Sequence, residues 1–292
     1  VSFELGLGYA IASALLFGGY LVLIKQRFTA YPAPVYLAGV NGFAFLTYLP
    51  IGLLTLDGPL FPNFSMQGVA LMVGVSLLTG IAILTMFRAI VEGEVSYVAP
   101  ISKLVPLFVL PLEVVLLAEV LTPVQIAGVL VATAAIYVAN YEPGELLEPF
   151  RRALTTRAPQ LALASAAVFG FVDVGKRVMM QELALPPQTY LPVMFAITTA
   201  MVVPFARRRP IPDTFRDDAW LFALAGLIVA VGNHVVLLAF QILPASIASP
   251  IINAQAIVAV VAGGVLLGEE HFRVRLIAGG LAICGIALIA VG

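Results

Sequence analysis

Ten predominantly apolar stretches, each long enough to cross a membrane as a helix, constrain this chain more than any other feature of its sequence. About 30 Å of hydrocarbon is crossed at 1.5 Å per residue, so a spanning helix needs roughly 20 apolar residues. The segments fall at 4–25, 34–56, 67–88, 95–117, 122–140, 159–181, 188–206, 218–241, 245–268 and 273–291. Of the 292 residues, 61% are hydrophobic and 11% charged, against roughly 45–50% and about 25% in soluble domains. A water-soluble core cannot hide that excess. The lipid bilayer is therefore the expected solvent, and in it helices satisfy their own backbone groups. The fold class expected is an all-α integral membrane protein. The first stretch runs past twenty residues behind Glu4 rather than behind a basic region, so it reads as a retained helix and not as a signal peptide.

The breaks between segments carry turn and helix-start chemistry: Tyr31-Pro32-Ala33-Pro34, Asp57-Gly58-Pro59, Thr122-Pro123, Pro186-Pro187 and Arg209-Pro210. The longest connection, residues 142–158, is charged and divides the chain nearly in half. Residues 1–141 and 159–292 are therefore expected to form two five-helix units.

Sliding the chain on itself supports that division. At an offset of 152, Ala12-Ser13-Ala14 falls on Ala164-Ser165-Ala166, Phe17-Gly18 on Phe169-Gly170, and Gly74 and Gly80 on Gly226 and Gly232. At an offset of 150, Pro100-Ile101 meets Pro250-Ile251, Leu116-Leu117 meets Leu266-Leu267, and Glu119 meets Glu269. Five helices is an odd number, so the second unit must enter the membrane from the opposite face. Ten transmembrane helices arranged as two inverted five-helix repeats is the expectation, an architecture that places a substrate site near the midplane between the halves.

The residues that recur also carry a resemblance. They are the small, Gly-containing first helix of each half, Ala99-Pro100-Ile101 with Pro106-Leu107-Phe108, and the run from Leu116-Leu117-Ala118-Glu119 through Thr122-Pro123 to Gly128. The second half repeats them as Ser249-Pro250-Ile251, Leu266-Leu267-Gly268-Glu269-Glu270 and Ala278-Gly279. Over its whole length the chain resembles the drug/metabolite transporter superfamily, in particular its ten-helix EamA-type members. It departs from their pattern with Ala118 in place of the usual Gly, Ala256 where Pro106 predicts a second proline, and no Trp in the first helix of either half. Glu119 and Glu269 read as structural caps on the free N–H groups of the following helices.

Charged and strongly polar residues inside hydrocarbon are costly, and by default they face a cavity or one another. Lys103 and Glu113 lie in the fourth segment, Asp173, Lys176 and Arg177 share a face of the sixth, Asn233 and His234 occupy the eighth, Asn253 and Gln255 the ninth, and Asn41 the second. The offset of 150 pairs Lys103 with Asn253, whereas Asp173, Asn233 and His234 face apolar counterparts. A substrate pocket of Lys103, Asn253, Gln255, Asp173, Asn233 and His234 is expected, with Lys103 holding an anionic group and Asp173 or His234 coupling protons. The competing expectation is that Asp173 and Lys176 neutralise each other, that Lys103 and Glu113 pair with neighbours, and that Glu113 snorkels toward headgroups. Pro100, Pro106, Pro111 and Pro250 predict kinks.

The leading function is a secondary active exporter or exchanger of small polar metabolites, amino acids or related organic anions, working by alternating access. A channel or lipid scramblase is the alternative. An intramembrane enzyme is short of parts, with no HExxH, no GxSxG and only two histidines. Neither cofactor nor metal is expected, and one cysteine, Cys284, makes no disulfide within the chain. A net charge of −1 gives no footprint for nucleic acid. The expected assembly is a monomer or weak homodimer, in the cell membrane, with both termini on one side. Twelve of the fifteen basic residues fall in odd-numbered connections, which by the positive-inside rule puts the termini outside. The resemblance implies cytoplasmic termini, so the side is left open. Asn63-Phe64-Ser65 fits a glycosylation sequon but is too common a triplet to decide it.

Overall fold

The computed structural model describes residues 2–56, 65–92, 101–139, 155–267 and 272–292, and these contain helices and no strand. In chain order the helices are α1 (Phe3–Arg27), α2 (Ala33–Thr55), α3 (Met66–Glu92), α4 (Val105–Leu117), α5 (Pro123–Ala139), α6 (Arg157–Gln181), α7 (Pro187–Ala206), α8 (Ala219–Phe240), α9 (Ala245–Asn253), α10 (Gln255–Leu267) and α11 (Phe272–Val291). Helices α1, α2, α3, α6, α7 and α8 are long and apolar enough to cross a membrane, while α4, α5, α9 with α10, and α11 contribute shorter apolar segments. Pro100, the Asn63 sequon, Glu269 and most of the 142–158 connection lie outside the described residues.

Helix α1 sorts its residues by size rather than by polarity. In α1 the buried face is Gly6, Leu7, Ala10, Ser13, Ala14, Gly18 and Val22, while Leu5, Ile11, Leu15 and Leu16 are exposed. Lipid tails are as apolar as leucine, so burying large side chains gains little in a bilayer. Association instead depends on close packing through small residues.

The main packing contacts between the halves recur when the halves are exchanged. Helix α1 packs on α8 as α6 packs on α3; α2 packs on α8 as α7 packs on α3; α1 packs on α9 and α10 as α6 packs on α4. Even the close approaches match. A methyl at Gly18 would lie 2.5 Å from Val258, and one at Gly170 would lie 2.8 Å from Phe108. Those glycines differ by 152 in number and their partners by 150.

The mate helices run antiparallel. The end of α2 meets the start of α7, with the Gln188 amide 3.4 Å from Thr55 Oγ1, and Tyr48 stacks edge-on to Phe195 further along. Helices α5 and α11 do the same. A methyl on Gly128 would lie 2.7 Å from the Gly285 carbonyl, and one on Gly292 would lie 2.8 Å from Val124. Antiparallel mates place the two units in opposite orientations.

The fourth and ninth segments are not continuous helices. After helical residues 101–102 the chain turns at Lys103 before α4, and Ala254 separates α9 from α10. The turns share a bonding pattern, with Leu104 N–H donating to Ile101 O and Leu107 N–H to Leu104 O, and likewise Ala254 N–H to Ile251 O and Ile257 N–H to Ala254 O. Pro106 accounts for the first break, since it has no N–H for the Ser102 carbonyl and its ring crowds that carbonyl. The second recurs with Ala256 at the equivalent position, so proline is not required for the break.

Candidate functional site

The two breaks open onto one cavity of about 380 Å³ in the interior of the bundle. Both halves line it. Helix α1 supplies Phe17, Tyr20 and Leu21, α2 supplies Asn41, and α3 supplies Thr79, Ile83 and Met86. The first break adds Ser102 and Lys103. From the second half come Ser165, Phe169, Asp173 and Lys176 on α6, Phe195 and Thr198 on α7, Asn233 and Phe240 on α8, and Asn253 and Gln255 at the second break.

Five of the six residues expected from sequence therefore share this lining: Lys103, Asp173, Asn233, Asn253 and Gln255. His234 is placed elsewhere. Its Nδ1 lies 2.7 Å from the Tyr48 hydroxyl, tying α8 to α2. Adjacent helical residues are about 100° apart, so one of the pair Asn233 and His234 turns inward while the other turns away.

The polar groups differ in what already engages them. Asp173 sits 3.6 Å from Lys176 Nζ and accepts a hydrogen bond from Ser249 Oγ at 2.8 Å. Asn253 Nδ2 donates to the Ser249 carbonyl, and Asn233 Nδ2 to the Val229 carbonyl. Lys103, half-buried in the wall, has neither an ion-pair nor a hydrogen-bond partner among the described residues. An ammonium in a low-dielectric wall attracts an anion far more strongly than one in water.

Arg177 faces away from the cavity and gathers three carboxylates, Glu182 at 2.8 Å, Glu119 at 3.1 Å and Glu113 at 3.5 Å. Glu113 is fully buried, so it does not snorkel. Its carboxylate accepts from the Ala245 N–H at 2.6 Å, the Ser246 N–H at 2.7 Å and the Ser246 hydroxyl. It thus caps α9, where free N–H groups and the helix dipole both favour negative charge. Glu119 is corrected as well. The start of α5 is capped reciprocally by Thr122 and Gln125, N–H of each to side chain of the other at 3.0 and 3.1 Å, and this leaves Glu119 free to turn to Arg177.

The sequence reading missed the aromatic wall of Phe17, Tyr20, Phe169, Phe195 and Phe240. Apolar residues are everywhere in these helices, and nothing local separates those facing a cavity from those facing lipid. The matched pair Phe17-Gly18 and Phe169-Gly170 was the available signal, since both phenylalanines line the cavity beside a packing glycine.

The EamA-like transporter family model matches the chain twice, over residues 4–141 and 157–291. The chain belongs to the EamA-like transporter family. It is a multi-pass membrane protein of a family of transporters within the drug/metabolite transporter superfamily. The chain is similar to the crystal structure of another protein, with a TM-score of 0.77 at 16% identity and a match that covers 98% of both chains. At that identity the likeness concerns fold alone. No curated protein matches the sequence.

Proposed function

We propose that the chain is a secondary active transporter of small polar metabolites bearing an anionic group, amino acids or related organic anions, working by alternating access. It would be an exporter or exchanger of the cell membrane and not an enzyme. The observation that carries the reading is Lys103, a cation without a partner among the described residues, at a helix break in a cavity walled by both halves. Ten helices in two inverted units would rock about this cavity. Aromatic rings would cover the apolar part of the substrate, and Asn253, Gln255 and Asn233 would fix its polar groups. The basic connections support placing their end of the bundle in the cytoplasm.

Asp173 is the better proton-coupling candidate of the two considered. It lines the cavity and links α6 to α9 through Ser249. Taking up a proton would remove its charge from beside Lys176 and weaken its hydrogen bond from Ser249, a contact between helices. His234 would serve as an inter-helical hydrogen-bond partner. The cavity's polar groups cluster instead of forming a continuous stripe, which favours a carrier over a channel or scramblase.

The test is binding and flux in parallel. Amino acids and organic acids are screened by thermal stabilisation, and hits are taken to proteoliposomes. A charge-assisted hydrogen bond contributes about 1.5–3 kcal/mol, so Lys103→Ala weakens the ligand about 10- to 100-fold with the apo protein still folded. Unchanged affinity removes Lys103 from the site. Flux that does not saturate, and that counter-substrate does not stimulate, replaces the carrier by a channel.

A further inference from the structure

We infer that the groove between the C-terminal halves of α3 and α7 binds a glycerophospholipid with a negatively charged headgroup. The helices touch where Gly80 meets Met201, and from there a hollow of about 520 Å³ runs between Ile81–Glu92 and Phe205–Arg209, with Pro34 at its edge. It is open to the outer face of the bundle and distinct from the central cavity.

The groove has the two parts such a lipid needs. Its wall is apolar and exposed at Ile81, Val91 and Phe205, the surface an acyl chain covers. At its rim stand Arg88, Arg208 and Arg209, none of which has a hydrogen-bond or ion-pair partner among the described residues. The one carboxylate among the described lining residues, Glu92, is held by Arg157 at 3.1 Å. Three free guanidinium groups over an apolar cleft at the end of two spanning helices complement a phosphate diester attached to acyl chains. A zwitterionic headgroup would bring its own cation to the same rim.

The mate groove, between α8 and α2, lacks the charge. At the offset of 152, Arg88 corresponds to Phe240, and Arg208 and Arg209 correspond to Leu56 and Asp57. The feature is therefore built into one groove and is not a by-product of the repeat.

The test uses the full chain purified in neutral detergent and exposed to equimolar phosphatidylglycerol and phosphatidylcholine, with retained lipid counted by native mass spectrometry. The wild type retains phosphatidylglycerol preferentially. Replacing Arg88, Arg208 and Arg209 by Gln reduces that preference by about fivefold per arginine. Val91→Asp, at an exposed position, also reduces it with little risk to folding, and decides the matter if the triple variant misfolds. Equal retention of the two lipids, or full preference in both variants, overturns the proposal. So does glycerol 3-phosphate competing as well as the intact lipid, since that would make the rim a site for free phosphate esters. None of these outcomes depends on whether the central cavity transports anything.

Discussion

The two ends of the bundle join the halves by opposite means. At the end carrying the basic connections, Phe28, Tyr31 and Tyr36 of the first half interlock with Phe215 and Phe222 of the second, with ring centroids 4.8 to 6.5 Å apart. The Tyr31 hydroxyl donates to the Asp218 carboxylate and shares a second hydrogen bond with the Thr214 hydroxyl, closing the seam. At the other end a buried guanidinium holds carboxylates from both halves, and one of those carboxylates caps a helix of the opposite unit. Stacked rings can slide and re-pair, so parting them costs little at any one contact. Parting the ionic end leaves a buried charge uncompensated, which is costly. The difference teaches where rocking motion would meet resistance: the Arg177 end is the stiffer one.

The largest effect that could break this contrast comes from Glu113. Glu113→Ala removes the cap of α9, leaves the Ala245 and Ser246 N–H groups without their acceptor in the interior, and takes the buried one of three carboxylates from Arg177. Loss of one partner of a buried pair costs about 3–5 kcal/mol, so a large drop in Tm in detergent is expected. Glu113→Gln keeps an acceptor oxygen for the Ala245 or Ser246 N–H and falls between. A Tm for Glu113→Ala within a degree of wild type would mean that the ionic end contributes no more than the aromatic one.

The sequence revealed this end only in part, and the reason is physical. The all-helical class, the repeat and the placing of Lys103, Asp173, Asn233, Asn253 and Gln255 on one lining follow from periodicity and from the cost of polarity in lipid, both of which are local. Which carboxylate meets Arg177 is not local. Glu113 lies 64 residues before it, and a buried glutamate that caps another helix carries the same signature as one that snorkels. Glu119 was mistaken for a cap because its spacing to α5 fits one, whereas Thr122 and Gln125 stand nearer and satisfy those N–H groups first. His234 could be placed at the right depth on its helix but not on the right side of it. The break at Lys103 has Pro106 to account for it, whereas the one at Ala254 has Ala256 at the equivalent position and only Pro250 before it.

At the aromatic end the expected effects are smaller. Tyr31→Phe keeps the ring and loses two hydrogen bonds, one to a carboxylate, for about 2–3 kcal/mol. The pH dependence has a definite sign. Burial, and after it the hydrogen bond to Asp218, raises the Tyr31 pKa above its ordinary value. A group whose folded pKa is raised contributes stability that is complete below its unfolded pKa, near 10, and that is lost as pH climbs through the folded value. Wild-type Tm should therefore hold to about pH 10 and then fall, and Tyr31→Phe should flatten that fall by the Tyr31 share. A variant that titrates like the wild type would mean the seam does not rely on this hydroxyl, and the contrast between the ends would rest on ring packing alone.

The smallest effect, and the one that sharpens the contrast, is a gain. To bring Glu113 and Glu119 onto one guanidinium the chain must reverse within six residues, and Ala118 makes the turn, with φ 52° and ψ 31° in the left-handed region. Its N–H and that of Glu119 both donate to the Glu113 carbonyl, the second at 3.5 Å, closing α4 in the manner that usually employs glycine. An alanine held there costs about 1–2 kcal/mol. Glycine would relieve that strain while losing about 0.5–1 kcal/mol of backbone entropy on folding. The balance favours Ala118→Gly by about 0.5–1 kcal/mol, read as a rise in Tm with Lys103-dependent ligand binding unaltered. A fall in Tm would mean that the turn is held by its carboxylates and not by its own conformation, and the stiffness of the Arg177 end would then belong entirely to the ion pairs.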